Sequence, residues 1–487
     1  MLFYLVGGLF APALIYLVIL YYRWIAKFPR GPFPVPGLGN ALQVKPQTMF
    51  KNFEEFAKQF GSVFTVFIPV PIVVLSDYET VKEAFITKGD DFVGRPISSL
   101  GDALFTMCEN GGIINSNGDS WKAQRATAVT IFKQLLDKNI MENKVKLRIR
   151  SFLQHLEELS DKDNIMISNI INDILFGFAY DYNDCQPIRD YVDNFVKFME
   201  ETADPTLLFL AMNYKLVEHL PIIGYQAAGK HKRTTSKLLS FIRDSVTKSL
   251  ESYDTKEDPD CYAHAYKQKM NSDDLLNLPQ LQSNCADLFV AGQVTTANTL
   301  RFGMLYLALN QDIQDKLRSE IHAVVGTTRL PAMFDEKNMP YTAATVLEMQ
   351  RKTNLLPLNV LRTTVRDTEV KGIKIPAGTI VNGDLHNILA NDPIFHHPER
   401  FWPERFLTDG GRQLNQEIVS HCIPFSLGHR RCAGEALARV ELFLCLATMV
   451  QQYRILPPLQ GTIDIDPLCY AFHSPKPNFV RLIKAIE

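Results

Sequence analysis

Within the ten residues from 425 to 434, a phenylalanine, a glycine, an arginine, a cysteine and a second glycine stand at fixed spacing. The pattern is Phe-x-x-Gly-x-Arg-x-Cys-x-Gly, formed by Phe425, Gly428, Arg430, Cys432 and Gly434. A helix-forming run follows directly, so amide groups and the positive helix end stabilise the cysteine thiolate. The glycines permit backbone conformations and close approaches that a Cβ would block. The arginine can hold a carboxylate through two hydrogen bonds.

These residue types suit a flat, anionic cofactor whose metal ion takes a thiolate ligand. Haem with an axial cysteine fits that description, and the phenylalanine would cover the loop with an apolar ring. A thiolate ligand pushes electron density onto the iron and favours cleavage of an O–O bond. For Cys432 taken alone, the alternative is a buried structural cysteine beside a glycine turn.

The motif resembles the haem-binding loop of the cytochrome P450 monooxygenases, and every signature position is filled. The resemblance implies that Cys432 ligates the iron of haem b and that the other four motif residues hold the cofactor. It also implies a mainly α fold with a small antiparallel β region. In that fold the haem lies between a long central helix and the cysteine-ligand loop.

Trp121 and Arg125 are four residues apart and share one face of a predicted helix. An indole N–H and a guanidinium group side by side can bind one anionic group. The alternative is a helix that packs on its tryptophan and leaves its arginine exposed. The resemblance assigns both side chains, and also Arg362, to the haem propionates. The family's usual second arginine is Ala126 here.

Residues 281–309 form an uninterrupted, nearly apolar pattern that predicts a long buried helix. Ala291 and Gly292 narrow this helix, so a planar ligand or O₂ can lie against its backbone. Thr295 offers a hydroxyl to a bound oxygen or to the helix backbone. The alternative is a close crossing of two helices with a satisfied threonine. The family normally has an acid before this threonine, and Val294 therefore weakens any inference about proton delivery.

Glu348 and Arg351 form a Glu-x-x-Arg pair, and Arg405 lies in a later Pro-Glu-Arg-Phe segment. Residues three apart share a helix face, and their apolar neighbours predict that this helix is buried. An exposed ion pair would contribute at most about 1 kcal/mol. The resemblance places all three residues in a structural triad behind the haem loop. We therefore assign them to folding and haem retention.

The N-terminal segment, residues 1–22, has no charged side chain, whereas Arg23, Lys27 and Arg30 follow it. At about 1.5 Å per residue it is long enough to cross a hydrocarbon layer of roughly 30 Å. The cations that follow predict a cytosolic body. A cleaved signal peptide is the alternative, but the charged n-region and short h-region typical of one are missing.

The remainder of the chain divides into a linker and a catalytic part. Residues 23–40 are basic and proline-rich and predict a stiff linker, and residues 41–487 are the predicted haem-thiolate catalytic domain. The formal net charge of −2 gives no support for a nucleic-acid partner. Eight cysteines without a Cys-x-x-Cys pair favour neither a zinc site nor a disulfide framework.

Smaller patterns complete the prediction. Residues 49–60 predict an amphipathic helix, and β-branched runs at 62–67 and 72–75 predict a hairpin. Two short apolar segments, 204–212 and 219–224, are either core or a lid over the substrate channel that dips into the membrane. The candidate pocket residues are the loop 97–114, Phe289, Ala291, Leu356, Val360 and Phe472.

The resemblance implies a monooxygenase in the endoplasmic reticulum membrane, held by one span with its catalytic domain facing the cytosol. The chain has no Gly-x-Gly-x-x-Gly dinucleotide site, so electrons must come from another protein. NADPH–cytochrome P450 reductase is the expected donor, with cytochrome b5 as a second candidate. The expected substrate is lipophilic: a fatty acid, a steroid or a foreign compound. Two alternatives are a haem-thiolate isomerase or peroxygenase that needs no reductase, and a haem-binding carrier or sensor without turnover.

Overall fold

A computed structural model of the chain describes residues 2–45, 48–68, 70–96, 107–156, 163–202, 223–270, 272–469 and 472–485. Its helices are α1 (Leu2–Ile25), α2 (Met49–Phe60), α3 (Tyr78–Lys82), α4 (Gly118–Asp137), α5 (Ile140–His155), α6 (Asp163–Phe176), α7 (Gln186–Thr202), α8 (Ile223–Glu251), α9 (Tyr262–Lys269), α10 (Leu278–Leu309), α11 (Gln311–Val324), α12 (Pro340–Thr353), α13 (Leu385–Asn391), α14 (Gln416–His421) and α15 (Glu435–Gln452). Helices thus predominate, as predicted.

The strands are short. They are β1 (Val63–Ile68), β2 (Val70–Leu75), β3 (Arg362–Thr363), β4 (Thr368–Val370), β5 (Ile373–Ile375), β6 (Ile380–Gly383), β7 (Leu407–Thr408), β8 (Gln413–Leu414), β9 (Tyr453–Leu456), β10 (Pro467–Cys469), β11 (His473–Pro475) and β12 (Arg481–Lys484). All their pairings are antiparallel except that between β2 and β6. The predicted mainly α fold with small, largely antiparallel sheets is confirmed.

The chain forms two compact units. The first comprises Met1–Pro96, Leu356–Asp392 and Ser426–Arg431. Its main sheet has the strand order β1-β2-β6-β3, and β1 and β2 form the predicted hairpin. Helix α2 is amphipathic, and Phe53 and Phe56, three residues apart, pack on the apolar face of this sheet.

The second unit comprises Ile97–Leu355, Pro393–Phe425 and Cys432–Glu487. Its core is built mainly by helices, and α10 is buried along most of its 32 residues, as predicted. The side chain of Asn277 caps α10 by accepting a hydrogen bond from the amide of Gln280. Such a cap satisfies one of the amide groups that have no partner within the helix. The long central helix therefore has a defined start.

The N-terminal helix α1 covers residues 2–22 of the predicted anchor and ends at Ile25, the third residue of the predicted linker. Near its end Tyr22 stacks on Phe33, with ring centroids 5.0 Å apart, and Trp24 meets Phe67 of β1 at 5.6 Å. These contacts hold the end of α1 against the linker and against β1, all within the first unit. Within the part of the chain that the structure describes, no helix has both the length and the apolar character needed to cross a membrane.

Two regions of interest lie outside the described residues. Residues 203–222 include most of the two apolar segments predicted as a lid or core. Residues 97–106 form the first part of the predicted pocket loop.

Candidate active site

Cys432 lies in the loop that leads into α15, in the second unit. Its amide donates a hydrogen bond of 3.0 Å to the carbonyl of Phe425, which closes the loop. The helix begins at Glu435, so the sulfur lies three positions before its first residue. Of the eight cysteines, all of which are described, only Cys432 is exposed. An exposed cysteine before a helix N-terminus is placed to act as a ligand rather than as core.

The two motif glycines differ in their φ angles and in the space that a Cβ would have. Gly428, in the first unit, has φ of +72°, and a Cβ there would lie 1.6 Å from the carbonyl oxygen of Phe85. Only glycine fits that position. Gly434, in the second unit, has φ of −89°, and its Cβ would make an ordinary 4.0 Å contact with the Cys432 sulfur. Contacts within the chain therefore do not by themselves require glycine at 434, and its predicted place beside the cofactor stays a prediction.

Phe425 is half-buried and packs against α15. The guanidinium of Arg439 on that helix lies 5.5 Å from the ring centroid, within the range of a cation–π contact. With its carbonyl bound to the cysteine amide, this residue ties the loop to the helix that follows.

Helix α4 carries the predicted tryptophan–arginine pair. Trp121 is buried and Arg125 is half-buried. Burial lowers the pKa of the Arg125 guanidinium, and the negative charge of Cys432 acts in the opposite direction. The fold thus brings a cation of α4 within electrostatic range of the candidate ligand, although the two residues lie far apart in the sequence.

Three predicted site residues lie on the central helix α10, and their surroundings differ. They are Ala291, Gly292 and Thr295. Ala291 is exposed in the middle of a helix that is buried elsewhere. A Cβ on Gly292 would lie 2.8 Å from Ile171 of α6, so this glycine serves a close helix crossing, which was the alternative. The hydroxyl of Thr295 donates a hydrogen bond of 2.6 Å to the Ala291 carbonyl, the helix-backbone option.

Arg362 is 1 % exposed and lies within the first unit. Its guanidinium stacks over the ring of Phe85 at 3.5 Å. It also donates hydrogen bonds to the carbonyl of Leu427 at 2.6 Å and to the hydroxyl of Ser426 at 3.2 Å. The arginine therefore holds the first part of the cysteine motif.

Arg430 and Arg95 are two further buried arginines of the first unit. Arg430 donates to the carbonyl of Val93 at 2.8 Å, and Arg95 donates to the carbonyls of Val360 and Leu361 at 2.9 and 2.6 Å. Hydrogen bonds to neutral carbonyl groups fix the orientation of a guanidinium group but do not neutralise its positive charge. Sequence reasoning missed Arg95, because no spacing to a second functional residue marks it.

The buried triad has the predicted partners. Glu348 is 0 % exposed and binds Arg351 through two hydrogen bonds of 2.7 and 2.9 Å. Arg405 donates to the same carboxylate at 3.1 Å, and so does the amide of Trp402 at 2.9 Å. Burial lowers the pKa of Arg405, and the charge of Glu348 opposes that effect. One carboxylate thus joins α12 to the segment around residue 400.

Comparison with known proteins agrees with this arrangement. The cytochrome P450 family model matches residues 29–481. Cytochrome P450 2G1 of Rattus norvegicus is 32% identical over 473 residues, covering 93% of this chain and 92% of that protein. Cytochrome P450 2H1 of Gallus gallus is 33% identical over 474 residues, with 94% of each chain covered. Cytochrome P450 2C8 of Homo sapiens is 34% identical over 445 residues, with 88% of each covered.

This chain belongs to the cytochrome P450 family. It is a monooxygenase, and the cofactor of the family is haem b with a cysteine thiolate ligand. The chemistry of the chain's own groups fits that cofactor: an exposed cysteine precedes a helix N-terminus, and a cation lies within its electrostatic range. The predicted family, cofactor and enzyme class are confirmed.

Asp287 is a second residue of this cytochrome P450 that sequence reasoning missed. Its carboxylate accepts hydrogen bonds from the amides of Ile113 and Ile114 at 2.6 and 2.8 Å. Gly112 has φ of +83°, and a Cβ there would lie 2.4 Å from the same carboxylate. The acid therefore pins the loop before α4 to α10. The available signal was that Asp287 is the only acidic residue in the sequence 281–309.

The predicted pocket residues differ in how deeply their side chains are buried. Phe289 is fully buried in an aromatic cluster with Phe176, Tyr191 and Phe241, so it packs between helices. In contrast, Val360 is exposed, and Leu356 and Phe472 are half-buried.

Proposed function

We propose that this cytochrome P450 inserts one oxygen atom from O₂ into a lipophilic substrate, with Cys432 as the ligand of the haem iron. The observation that carries this proposal is the exposed Cys432 before α15, with Arg125 in electrostatic range. The other seven cysteines are buried or half-buried. When bound, haem supplies the activation of O₂, and the chain supplies the ligand, the counter-charges and a largely apolar surrounding.

Four side chains are proposed to bind the haem propionates. Trp121 would donate through its neutral indole N–H and Arg125 through its guanidinium, both from α4, and Arg362 and Arg430 would donate through their guanidinium groups. Each has a defined orientation, through helix packing for the first pair and through carbonyl hydrogen bonds for the second. A guanidinium oriented in this way binds a carboxylate at a lower cost in side-chain entropy.

Thr295 is proposed to orient oxygen next to Ala291. Its hydroxyl can keep its bond to the helix carbonyl as donor and still accept a hydrogen bond. Val294 can neither donate nor accept one, so protons must reach this region by a route other than the acid usual in the family.

The proposed electron source is NADPH, through NADPH–cytochrome P450 reductase with cytochrome b5 as a second donor, because the chain has no dinucleotide motif of its own.

Attachment to the endoplasmic reticulum membrane through α1 is proposed from the uncharged residues 1–22 and the cations after them. Resistance of membrane association to alkaline carbonate tests it, and release of the full-length chain into the supernatant would contradict it.

Reconstitution tests the proposed function. The purified holoenzyme should consume NADPH in a substrate-dependent manner only when reductase is present, and it should form a product that carries one atom of ¹⁸O from ¹⁸O₂. Fatty acids, steroids and foreign compounds are the panel to screen. Product formed without reductase would indicate an isomerase or peroxygenase instead. Haem binding without product from an unbiased metabolite extract would indicate a carrier or sensor.

Replacing Arg362 by alanine should accelerate haem release. A charge-assisted hydrogen bond contributes about 1.5–3 kcal/mol, so its loss corresponds to a rate of haem loss on the order of 10- to 100-fold higher. Transfer of haem to apomyoglobin measures this rate. Arg366→Ala is the matched control, since Arg366 is exposed and pairs with Asp91. Equal release rates for the Arg362 variant and the wild type would exclude Arg362 as a propionate ligand.

A further inference from the structure

Glu441 is a buried acid at the contact between α15 and α10, within the second unit. It is 1 % exposed, and its Oε2 accepts a hydrogen bond of 2.9 Å from the hydroxyl of Thr296, which is also buried. Thr296 is the neighbour of Thr295, whereas α15 begins three positions after Cys432. One hydrogen bond therefore connects the helix that follows the cysteine loop to the helix that carries Thr295.

The surroundings of Glu441 favour its neutral form. Among the described residues it forms no ion pair with a basic side chain. Burial raises the pKa of Glu441 to about 8, and the hydrogen bond from Thr296 acts in the opposite direction. A carboxyl group that is buried without a cation keeps its proton at neutral pH. Glu441 then has one O–H group to donate.

The side chain of Gln293 offers a hydrogen-bond acceptor to the O–H group of Glu441. It lies three positions before Thr296, so the two side chains share a face of α10. It is 1 % exposed, and its Oε1 has no hydrogen-bond partner among the described residues. The Oε1 atom of Glu441 also has none there. The O–H group of protonated Glu441 is therefore a donor that lacks an acceptor, and the Oε1 atom of Gln293 is an acceptor that lacks a donor.

We propose that protonated Glu441 is a positioning residue for Thr295: it accepts a hydrogen bond from Thr296 and donates one to Gln293, directly or through one buried water. This chain of hydrogen bonds fixes the rotation of α10 about its axis. The proposal rests on the proposed function of Thr295.

The bonds of Thr295 itself explain why such an anchor is needed. Its hydroxyl bonds to the Ala291 carbonyl and its carbonyl accepts from Thr299, so both of these bonds stay within α10. Bonds within one helix cannot fix its orientation relative to a second helix. The bond from Thr296 to Glu441 can, because its two ends belong to different helices.

Three variants test this role. Glu441→Gln keeps an acceptor for Thr296 and a donor for Gln293, so it should couple NADPH to product as the wild type does. Glu441→Leu and Thr296→Val remove the link, and the ratio of product to NADPH should fall about fivefold, the equivalent of one hydrogen bond of about 1 kcal/mol. Thr448→Val, which removes another buried hydroxyl from α15, is the control and should change the ratio less than twofold.

Infrared spectroscopy of the holoenzyme gives a readout that is independent of turnover. At pH 7 the difference spectrum between wild type and Glu441→Gln should contain the carbonyl band of a protonated carboxylic acid, and Thr296→Val should shift that band. Amide hydrogen exchange around residue 296 should be faster in Thr296→Val and Glu441→Leu than in the wild type.

Several outcomes would overturn the proposal. A carboxylate band in place of the acid band would show that Glu441 is ionised. Uncoupling in Glu441→Gln as large as in Glu441→Leu would mean that the proton itself, and not the hydrogen-bonded link, is required. Unchanged coupling in Thr296→Val would remove the positioning role even if Glu441→Leu does not load haem. If the wild type has no turnover, the proposed function fails, whereas the infrared and exchange measurements still decide the hydrogen-bonded chain.

Discussion

Cys432→Ser should abolish the absorbance spectrum that a thiolate-ligated haem gives when it is reduced under carbon monoxide. Serine keeps nearly the size of cysteine and the position before the helix, but its hydroxyl is not ionised at neutral pH and contains no sulfur. The electron donation from a thiolate that defines this spectrum is therefore lost. The variant should also form no oxygenated product with reductase and NADPH. The spectrum of the purified, reduced protein is the decisive measurement, because it does not require a known substrate.

Cys422→Ser is the matched control for this experiment. Cys422 lies in the same stretch of sequence but is buried, and its thiol contacts the carbonyl of Leu347. Burial raises the pKa of the Cys422 thiol to about 12, so it is not a thiolate at neutral pH. The control should keep the thiolate spectrum. The opposite pattern, with loss in Cys422→Ser and retention in Cys432→Ser, would assign the iron ligand to Cys422.

Glu348→Ala should yield a poorly folded protein that retains little haem. The substitution leaves the guanidinium groups of Arg351 and Arg405 buried without their carboxylate, which costs roughly 3–5 kcal/mol. That cost is a large fraction of the stability of an ordinary domain. Urea unfolding measures the stability, and the ratio of haem to protein measures cofactor retention. Arg405→Ala should act in the same direction, because it leaves the buried carboxylate with one arginine fewer.

The control for the triad is Glu404→Ala. Glu404 neighbours Arg405, but its half-buried carboxylate pairs with the largely exposed Lys316 and accepts a hydrogen bond of 3.2 Å from the hydroxyl of Tyr341. Such an ion pair and such a hydrogen bond contribute about 1 kcal/mol each, so this variant should lose less stability than Glu348→Ala and stay loaded with haem. A Glu348→Ala protein that is stable, loaded with haem and inactive would contradict our assignment and point to a role in the reaction.

Much of the candidate site could be predicted because its signals are local. The spacing of Trp121 and Arg125 placed both on one helix face, and the three-residue spacing of Glu348 and Arg351 placed that pair in the same way. The positive φ of Gly428 is also a local feature of its loop, whereas the close approach of the Phe85 carbonyl, which excludes a Cβ there, is a tertiary contact. The helical repeat and the turn geometry determine such local features within a few residues. These features therefore do not depend on how the rest of the chain packs.

The sequence alone could not orient the central helix. Residues 281–309 carry apolar and polar side chains on every side of the helix, so their pattern has no single preferred face. Only the tertiary structure showed that Gly292 meets Ile171 and that Ala291 is exposed.

By itself the sequence determined the family, the cofactor class, the cysteine motif and the pairs that share a helix face. The tertiary structure decided which sides of α10 pack. It also decided that Asp287 holds a loop, that Arg95 joins the buried arginines and that Glu441 meets Thr296. These contacts join residues that are far apart in the chain. No local period encodes them, because they depend on how the helices pack.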